Sequence, residues 1–395
     1  METEVIKEVE ETLQVQEVSL DVEAETKVIV KRLDIENTFK LLTTVIDLHS
    51  PRVVARGLNF FLSDYNLRIV NANEMIHFES TIRPLEVEHA NGEKFYIAYE
   101  LFQKIMKYLP EKVLIYKRSG NWYIRLYTGD LELINSQLLA VDLRRLTLEH
   151  EVLDECVCEV DLESVYTKLG NLEKLYTFQS EVQRRYFDVC EDGTYFITPS
   201  LYARTTLALP RVKLYPKVVD FLVEASKDIL NANNGDIRWY KTNSNPIVRY
   251  ALVLNLQGIK VQVVTNFVDS KSELTVCEIL NANKTETEID FRDLKYNLEY
   301  ITTLSSVNYF RGTVSLNTTD TIIYAEVALN NGESTKVDIP VINGLHLNLH
   351  DIRVNASVLL SALNSLSESL KTYIYYENSY LYLFNDELTL AIVTY

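Results

Sequence analysis

The chain of 395 residues carries a net charge of −17, with 47% hydrophobic and 24% charged residues and only 11 Gly and 8 Pro. This balance excludes a disordered chain, a collagen-like chain and a small disulfide scaffold, and the length allows roughly two to four domains. No apolar run approaches the roughly 20 residues that span a bilayer, so no membrane partner is expected.

The chain opens on an acidic stretch. Residues 2–25 hold nine acids against the single Lys7, the opposite of a basic, acid-poor targeting peptide. Residues 1–27 therefore read as an acidic extension, either mobile or a short frayed helix.

A repeat follows. Three segments begin with an aspartate suited to cap a helix and continue with apolar residues at helical spacing: Asp34–Leu42, Asp161–Leu169 and Asp290–Leu298. The three aspartates stand 127 and 129 residues apart, two nearly equal intervals of domain size. A second helix is predicted in each unit, over Ala98–Leu109, Lys217–Leu230 and Asn355–Leu366. Elsewhere the period is two, which predicts strands. They fall at Leu58–Leu62, Leu67–Asn71, Met75–Ile82, Trp122–Tyr127 and Leu131–Ile134 in the first unit. Ile247–Leu254 and Ile259–Thr265 follow in the second, and Tyr373–Tyr376, Tyr380–Phe384 and Leu388–Val393 in the third. Strands that arrive in runs rather than alternating with helices give an α+β chain with antiparallel sheets. The apolar period weakens over 143–155 and 270–283, which predicts domains at 28–150, 151–275 and 276–395.

Chemistry-bearing motifs are scarce. The chain lacks glycine-rich dinucleotide and P-loop fingerprints, a G-x-S-x-G elbow, an H-E-x-x-H zinc pair and the kinase motifs. Cys156, Cys158, Cys190 and Cys277 fit a reducing compartment, and the C-x-C spacing of the first two is not that of a zinc or redox site. His346 and His350 lie in a stretch, Leu345–Leu349, that alternates like a strand and reads as surface rather than as a metal pair. The expectation is a binding protein that is not an enzyme and needs no cofactor or metal. A hydrolase site in one domain would need a nucleophile–base pair, and none can be named.

Three local segments then carry a resemblance. Leu304–Val314, with Tyr309-Phe310-Arg311-Gly312 at its centre, is similar to the helix-to-strand junction in the third domain of bacterial beta-type DNA sliding clamps. Arg353–Leu366 resembles the segment entering that domain's second helix, and Phe95–Pro110 the matching segment of the first domain. The resemblance covers residues 28–395, and the order and spacing of the segments make it more specific than any one of them. It implies a divergent clamp, in a bacterial or phage-infected cytoplasm. Such a clamp is a head-to-tail homodimer closing a six-domain ring, with sheets outside and helices lining a hole for duplex DNA. The implied partners are duplex DNA held without sequence preference, and a polymerase and a clamp loader that dock through short linear peptides.

The same resemblance implies site residues. Arg52 follows Pro51 where the family places a DNA-contacting loop, and an arginine recurs after the first helix of each unit at Arg56, Arg184/Arg185 and Arg311. Lys104, Lys107, Lys168, Lys174 and Lys217 join them from the helices, although those helices hold at least as many acids. An arginine there also caps a helix end or pairs with a carboxylate, and the sequence leaves both readings open. The net charge of −17 fits a ring whose outer surface repels DNA everywhere but through its hole. The family's peptide cleft maps to Pro199, Leu201, Tyr202 and Arg204 with the tail residues Ile392, Val393 and Tyr395. In the matching stretch Ile197–Thr206 the family's polar signature is lost while apolar character is kept, and its tail proline is absent, which implies an altered peptide preference, with ordinary strand core as the other reading. The alternative function is a clamp-fold interaction protein, a transcription co-activator or a decoy for clamp partners, with no loaded-clamp role.

Overall fold

The computed structural model describes residues 19–63, 65–72, 76–90, 92–139, 153–176, 187–190, 193–207, 209, 213–242, 249–256, 259–265, 278–280, 287–307, 312–319, 322–328, 334–343 and 347–395. It is an α/β mixture in which every strand pairing among these residues is antiparallel. The chain divides into two compact units, one of residues up to Val160 with Lys227–Phe267, the other of Asp161–Ser226 with Val268–Tyr395. All three limits between the units fall inside the second sequence repeat rather than between repeats.

Strand pairing explains the division. In the first unit an eight-stranded sheet carries Ile76–Ile82 of the first repeat hydrogen-bonded along its length to Ile259–Thr265 of the second. In the second unit a nine-stranded sheet joins Leu201–Thr205 of the second repeat to Leu388–Val393 of the third. Each ladder ties repeats together more strongly than the polar stretches between them separate them. A five-stranded sheet completes the first unit and a four-stranded one the second.

The helices follow from their apolar faces. Helix α1 (Arg32–Val45) buries Ile35, Thr38, Leu41, Leu42 and Val45, the stripe that a 3.6 period places on one side. Phe39 stacks at 5.1 Å on Tyr99 and lies 5.1 Å from Phe102, which lays α1 against α2 (Tyr99–Ile105). In the second unit, single-turn Leu162–Ser164 and wide-turn Val165–Leu169 lead into α3 (Gly170–Tyr176). Beyond it come α4 (Pro216–Ala232), α5 (Phe291–Val307) and α6 (Ala356–Ser365).

Two of the three expected aspartate caps form. Asp161 accepts from the Ser164 N–H, and Asp290 accepts from the N–H groups of Arg292 and Asp293. Asp34 does not cap. The Arg32 guanidinium reaches the Leu109 carbonyl at 2.8 Å and Glu36 at 2.6 Å, so the cap position falls three residues earlier, at Lys31, and Asp34 sits buried in the first turn of α1. Burial raises its carboxyl pKa, and the nearby Lys31 offsets only part of this.

Other expectations shift in detail. The strand expected at 131–134 runs over Gly129–Glu132, leaving Ile134 exposed. Residues 347–349 form no strand, because Leu347 and Leu349 turn inward as loop residues; His346 lies outside the described residues. The first boundary stretch ends inside the strand Leu153–Glu159, and of 270–283 only 278–280 are described. At the end of the acidic extension, residues 19–25 lie against the first unit's five-stranded sheet.

Between strands Leu67–Ala72 and Ile76–Ile82 the first unit holds a half-buried ion pair. The Arg68 guanidinium grips Glu79 through two bonds of 2.8 Å, and His77 lies 3.7 Å from the same carboxylate. Burial alone would raise the Glu79 carboxyl, but His77 and Arg68 overcome it and hold it at about 2.

Candidate functional site

The cations expected to meet DNA divide between the units. In the first, Arg52 stands exposed ahead of the tight turn Val53–Arg56. That turn is pinned from three sides. Asn71 donates to the carbonyls of Ala55 (3.1 Å) and Gly57 (2.8 Å), Tyr96 donates to Val53 (3.1 Å), and Arg56 Nε donates to the Ser50 carbonyl. A held turn of this kind fixes where Arg52 emerges, while Arg56 serves the turn itself. Lys104 and Lys107 are exposed at the end of α2, with the Lys107 ammonium 4.8 Å from the Tyr108 ring centre.

In the second unit, Lys168 donates to the Thr206 hydroxyl and Lys174 to the Asn171 side chain, each at 3.2 Å. Lys217 lies half-buried in the first turn of α4. Arg184, Arg185 and Arg311 lie outside the described residues.

Carboxylates temper these helices. Lys40 on α1 is paired with Asp228, and Lys295 on α5 with Glu368 at 2.8 Å. Burial and then the neighbouring Glu173 push Asp220 on α4 up to about 7, against a smaller opposing pull from Lys217. Burial and Glu224 likewise raise Glu173. Around neutral pH this helix pair therefore carries less negative charge than its composition states.

The expected peptide cleft resolves into two faces of one sheet. Strand Leu201–Thr205 pairs with Leu388–Val393, so Leu201 stands opposite Ile392 and Tyr202 opposite Ala391. Alternation sends Leu201 and Ile392 inward, both 0% exposed, so these two are core and cannot line a surface. Tyr202, Arg204 and Val393 take the opposite face, Arg204 lying 5.8 Å from the Tyr195 ring centre. Pro199 and Tyr395 are exposed at the strand ends.

Around Tyr202, residues unmarked by sequence reading complete that face. Tyr195, Tyr382 and Ala391 are buried there beneath Leu280, with Ile279, Ile197, Tyr202, Tyr375, Tyr380 and Phe384 packed around them. The Tyr382 hydroxyl donates to the Ile279 carbonyl at 3.2 Å, and burial pushes its pKa up to about 12. The available signal is the adjacent apolar pair Ile279-Leu280 in a stretch whose apolar period is weak.

Among the described residues no group of three or more His, Cys, Asp or Glu side chains is placed to hold a metal ion, and no helix is long and apolar enough to cross a membrane. A cavity of about 440 Å³ lies at the start of α5. Its lining sets Arg292 and Lys371 against the four carboxylates of Glu288, Asp290, Asp293 and Glu368, an acidic excess that does not suit an anion.

Comparison with solved structures gives the fold a precedent. The chain superposes on a putative DNA polymerase III beta subunit from Eubacterium rectale with a TM-score of 0.71 at 14% identity, covering 94% of this chain and 99% of that one. The DNA polymerase III beta subunit of Thermotoga maritima gives 0.71 at 12% identity over the same shares. A DNA polymerase sliding clamp from Pseudomonas aeruginosa, solved with a ligand, gives 0.67 at 13% over 94% and 99%. No protein-family profile and no curated relative matches the sequence.

Proposed function

We propose that this chain, which has the fold of the DNA polymerase III beta subunit, works as a sliding clamp. Two copies joined head to tail close a ring around duplex DNA, each contributing domains 28–150, 151–275 and 276–395. The ring tethers a replicative polymerase and is opened by a loader, in the cytoplasm of a bacterial or phage-infected cell. The observation that carries this reading is its extent: the likeness takes in 94% of this chain and 99% of a beta subunit, so no domain of that architecture is left over.

The function is topological rather than catalytic. A ring that slides needs weak, unregistered contacts to phosphate, which exposed Lys and Arg supply. Arg52 on its pinned turn, with Lys104 and Lys107, serves this role in the first unit; Lys168, Lys174 and Lys217, with Arg184, Arg185 and Arg311, serve it in the second. The net charge of −17 keeps the rest of the surface from holding DNA. Partners dock a short peptide on the Tyr202–Arg204–Val393 face, with Pro199 and Tyr395 at its margins. Loss of the family's polar signature changes which peptides fit.

Ring closure is tested by native mass. Light scattering at micromolar concentration is expected to give twice 45.6 kDa. A monomer that persists at high concentration would leave an open arc and move the adaptor or decoy reading ahead, a reading favoured by the helix cations Lys40 and Lys295 being tied to Asp228 and Glu368.

A further inference from the structure

The chain joins its repeats twice by the same device. The third strand after the first helix of one repeat pairs with the last strand of the next. Ile76–Ile82 thus meets Ile259–Thr265, and Leu201–Thr205 meets Leu388–Val393. Two strands of these kinds are left over. Ser334–Ile339 is the third repeat's strand of the first kind, and Gly129–Glu132 the first repeat's strand of the second kind. Each is the edge of its sheet, with one side unpaired among the described residues. Each carries the backbone groups that the other lacks.

The register carries over as well. Tyr96, Lys213 and Arg353 stand three residues before the second helix of their repeats. Stepping across the paired strands from each leads to Glu79, Arg204 and Lys336, which are therefore equivalent. Within the chain, Arg204 faces Thr389. Thr389 also faces Phe384, the fifth residue after a two-residue hairpin turn. In the first repeat the fifth residue after such a turn is Arg125, and it faces Asp130. Lys336 accordingly belongs opposite Asp130.

Charge agrees with this register. Arg125 binds Asp130 at 2.7 Å and Glu326 binds Lys336 at 3.3 Å. Side by side, the four strands would carry a row of Arg125, Asp130, Lys336 and Glu326, alternating in sign. A slip of two residues one way sets Asp338 against Asp130, and the other way leaves Lys336 opposite uncharged Thr128. At the same position the intrachain junctions pair Glu79 with Gln262 and Arg204 with Thr389, so opposed charges belong to the open pair alone.

The helices agree too. The first helix of one repeat meets the second helix of the next: Lys40 ties α1 to Asp228 of α4, and α3 packs on α6. Helix α5 runs along the open edge, where Asn297 donates to the Asp338 carbonyl at 2.8 Å. Leu41, the tenth residue of α1, is 0% exposed, whereas Tyr300, the tenth of α5, is 54% exposed and Tyr296 is 74% exposed.

Resting on the two-copy reading above, we infer that Ser334–Ile339 of one copy pairs with Gly129–Glu132 of a second, with Lys336 opposite Asp130 as the charge pair that fixes the register. The second copy's α2 covers Tyr296 and Tyr300.

A charge exchange tests this, with dissociation constants read by sedimentation velocity on the full chain. Lys336→Asp and Asp130→Lys each set like charges opposite one another at both junctions of a two-copy ring. Each variant alone is expected to dissociate at least about tenfold more readily than the wild type. Mixed in equal amounts they match Asp with Lys at one junction and restore the native pair at the other, so the mixture is expected to regain close to wild-type affinity. Circular dichroism checks folding. If Asp130→Lys does not fold, Asp130→Asn takes its place, and its mixture with Lys336→Asp is expected to associate more tightly than Lys336→Asp alone. A wild type that dimerises, with folded variants that dimerise equally well or a mixture that regains nothing, would overturn this pairing and leave the ring standing. A wild type that stays monomeric would overturn both.

Discussion

Gly193→Ala is expected to destabilise the second unit by at least about 3 kcal/mol and lower its melting temperature by about 6–12 °C. Gly193 has a φ of +152°, a region that residues with a Cβ rarely enter. An added methyl would also fall on the Thr205 carbonyl oxygen, a backbone atom of the neighbouring strand that cannot step aside. Strand Gly193–Ile197 pairs along its length with Leu201–Thr205, which carries Tyr202 and Arg204. The strain therefore reaches the peptide-docking face as well as the fold. Thermal unfolding of the variant checks this, and a change under about 1 kcal/mol would mean that the turn relaxes freely.

Asp220→Asn is expected to stabilise the protein at pH 8 by about 2 kcal/mol while leaving it near wild type at pH 4. The sign follows from the direction of the shift. Burial and Glu173 hold the folded-state pKa at about 7, above the ordinary 3.8, so the folded state binds the proton more tightly than the unfolded one. The wild type therefore loses stability as pH rises from about 4 to 7 and stays at the lower level above that. A shift of this size converts to about 4 kcal/mol at most, and partial solvent access roughly halves it. Asparagine keeps the shape and removes the charge. Denaturant unfolding across pH 4–8 reads the difference, and a variant with the wild-type pH slope would place the titration elsewhere. The substitution also removes negative charge from the helix that bears Lys217.

The physics of each feature explains how much of it the sequence disclosed. Strands with one buried face announce themselves by alternation, so Asn121–Leu126 and Thr372–Glu377 lie within a residue of where the pattern puts them. Leu67–Ala72, Tyr380–Phe384 and Leu388–Val393, buried on both faces at their centres, show instead as short apolar runs. Asp161, Asp290 and Asn355 cap helices through local bonds, and local bonds are what spacing reports. Asp34 misleads because the start of α1 is set by Arg32 reaching Leu109, 77 residues away. The continuity of the sheets between repeats depends on pairings such as Val261 with Ser80, which no local pattern encodes.

The candidate site was legible in the same partial way. Alternation separates Leu201 from Tyr202, but only the sheet reveals that Leu201 is the inward one. The raised pKa of Asp220 arises from burial and then from Glu173 on another helix, and the cover over Tyr382 from Ile279 and Leu280, about 100 residues earlier. Spacing within one segment cannot supply either.

Topological retention tests the clamp reading most directly. The protein is incubated with a linear plasmid, over whose ends a closed ring threads without a loader. The plasmid is then closed by ligase, and the circle is separated by large-pore gel filtration before and after a restriction enzyme cuts it once. Encirclement predicts protein that travels with the circle and is released once a free DNA end exists. A complex that survives the cut unchanged, or one that never forms on the circle, would contradict it.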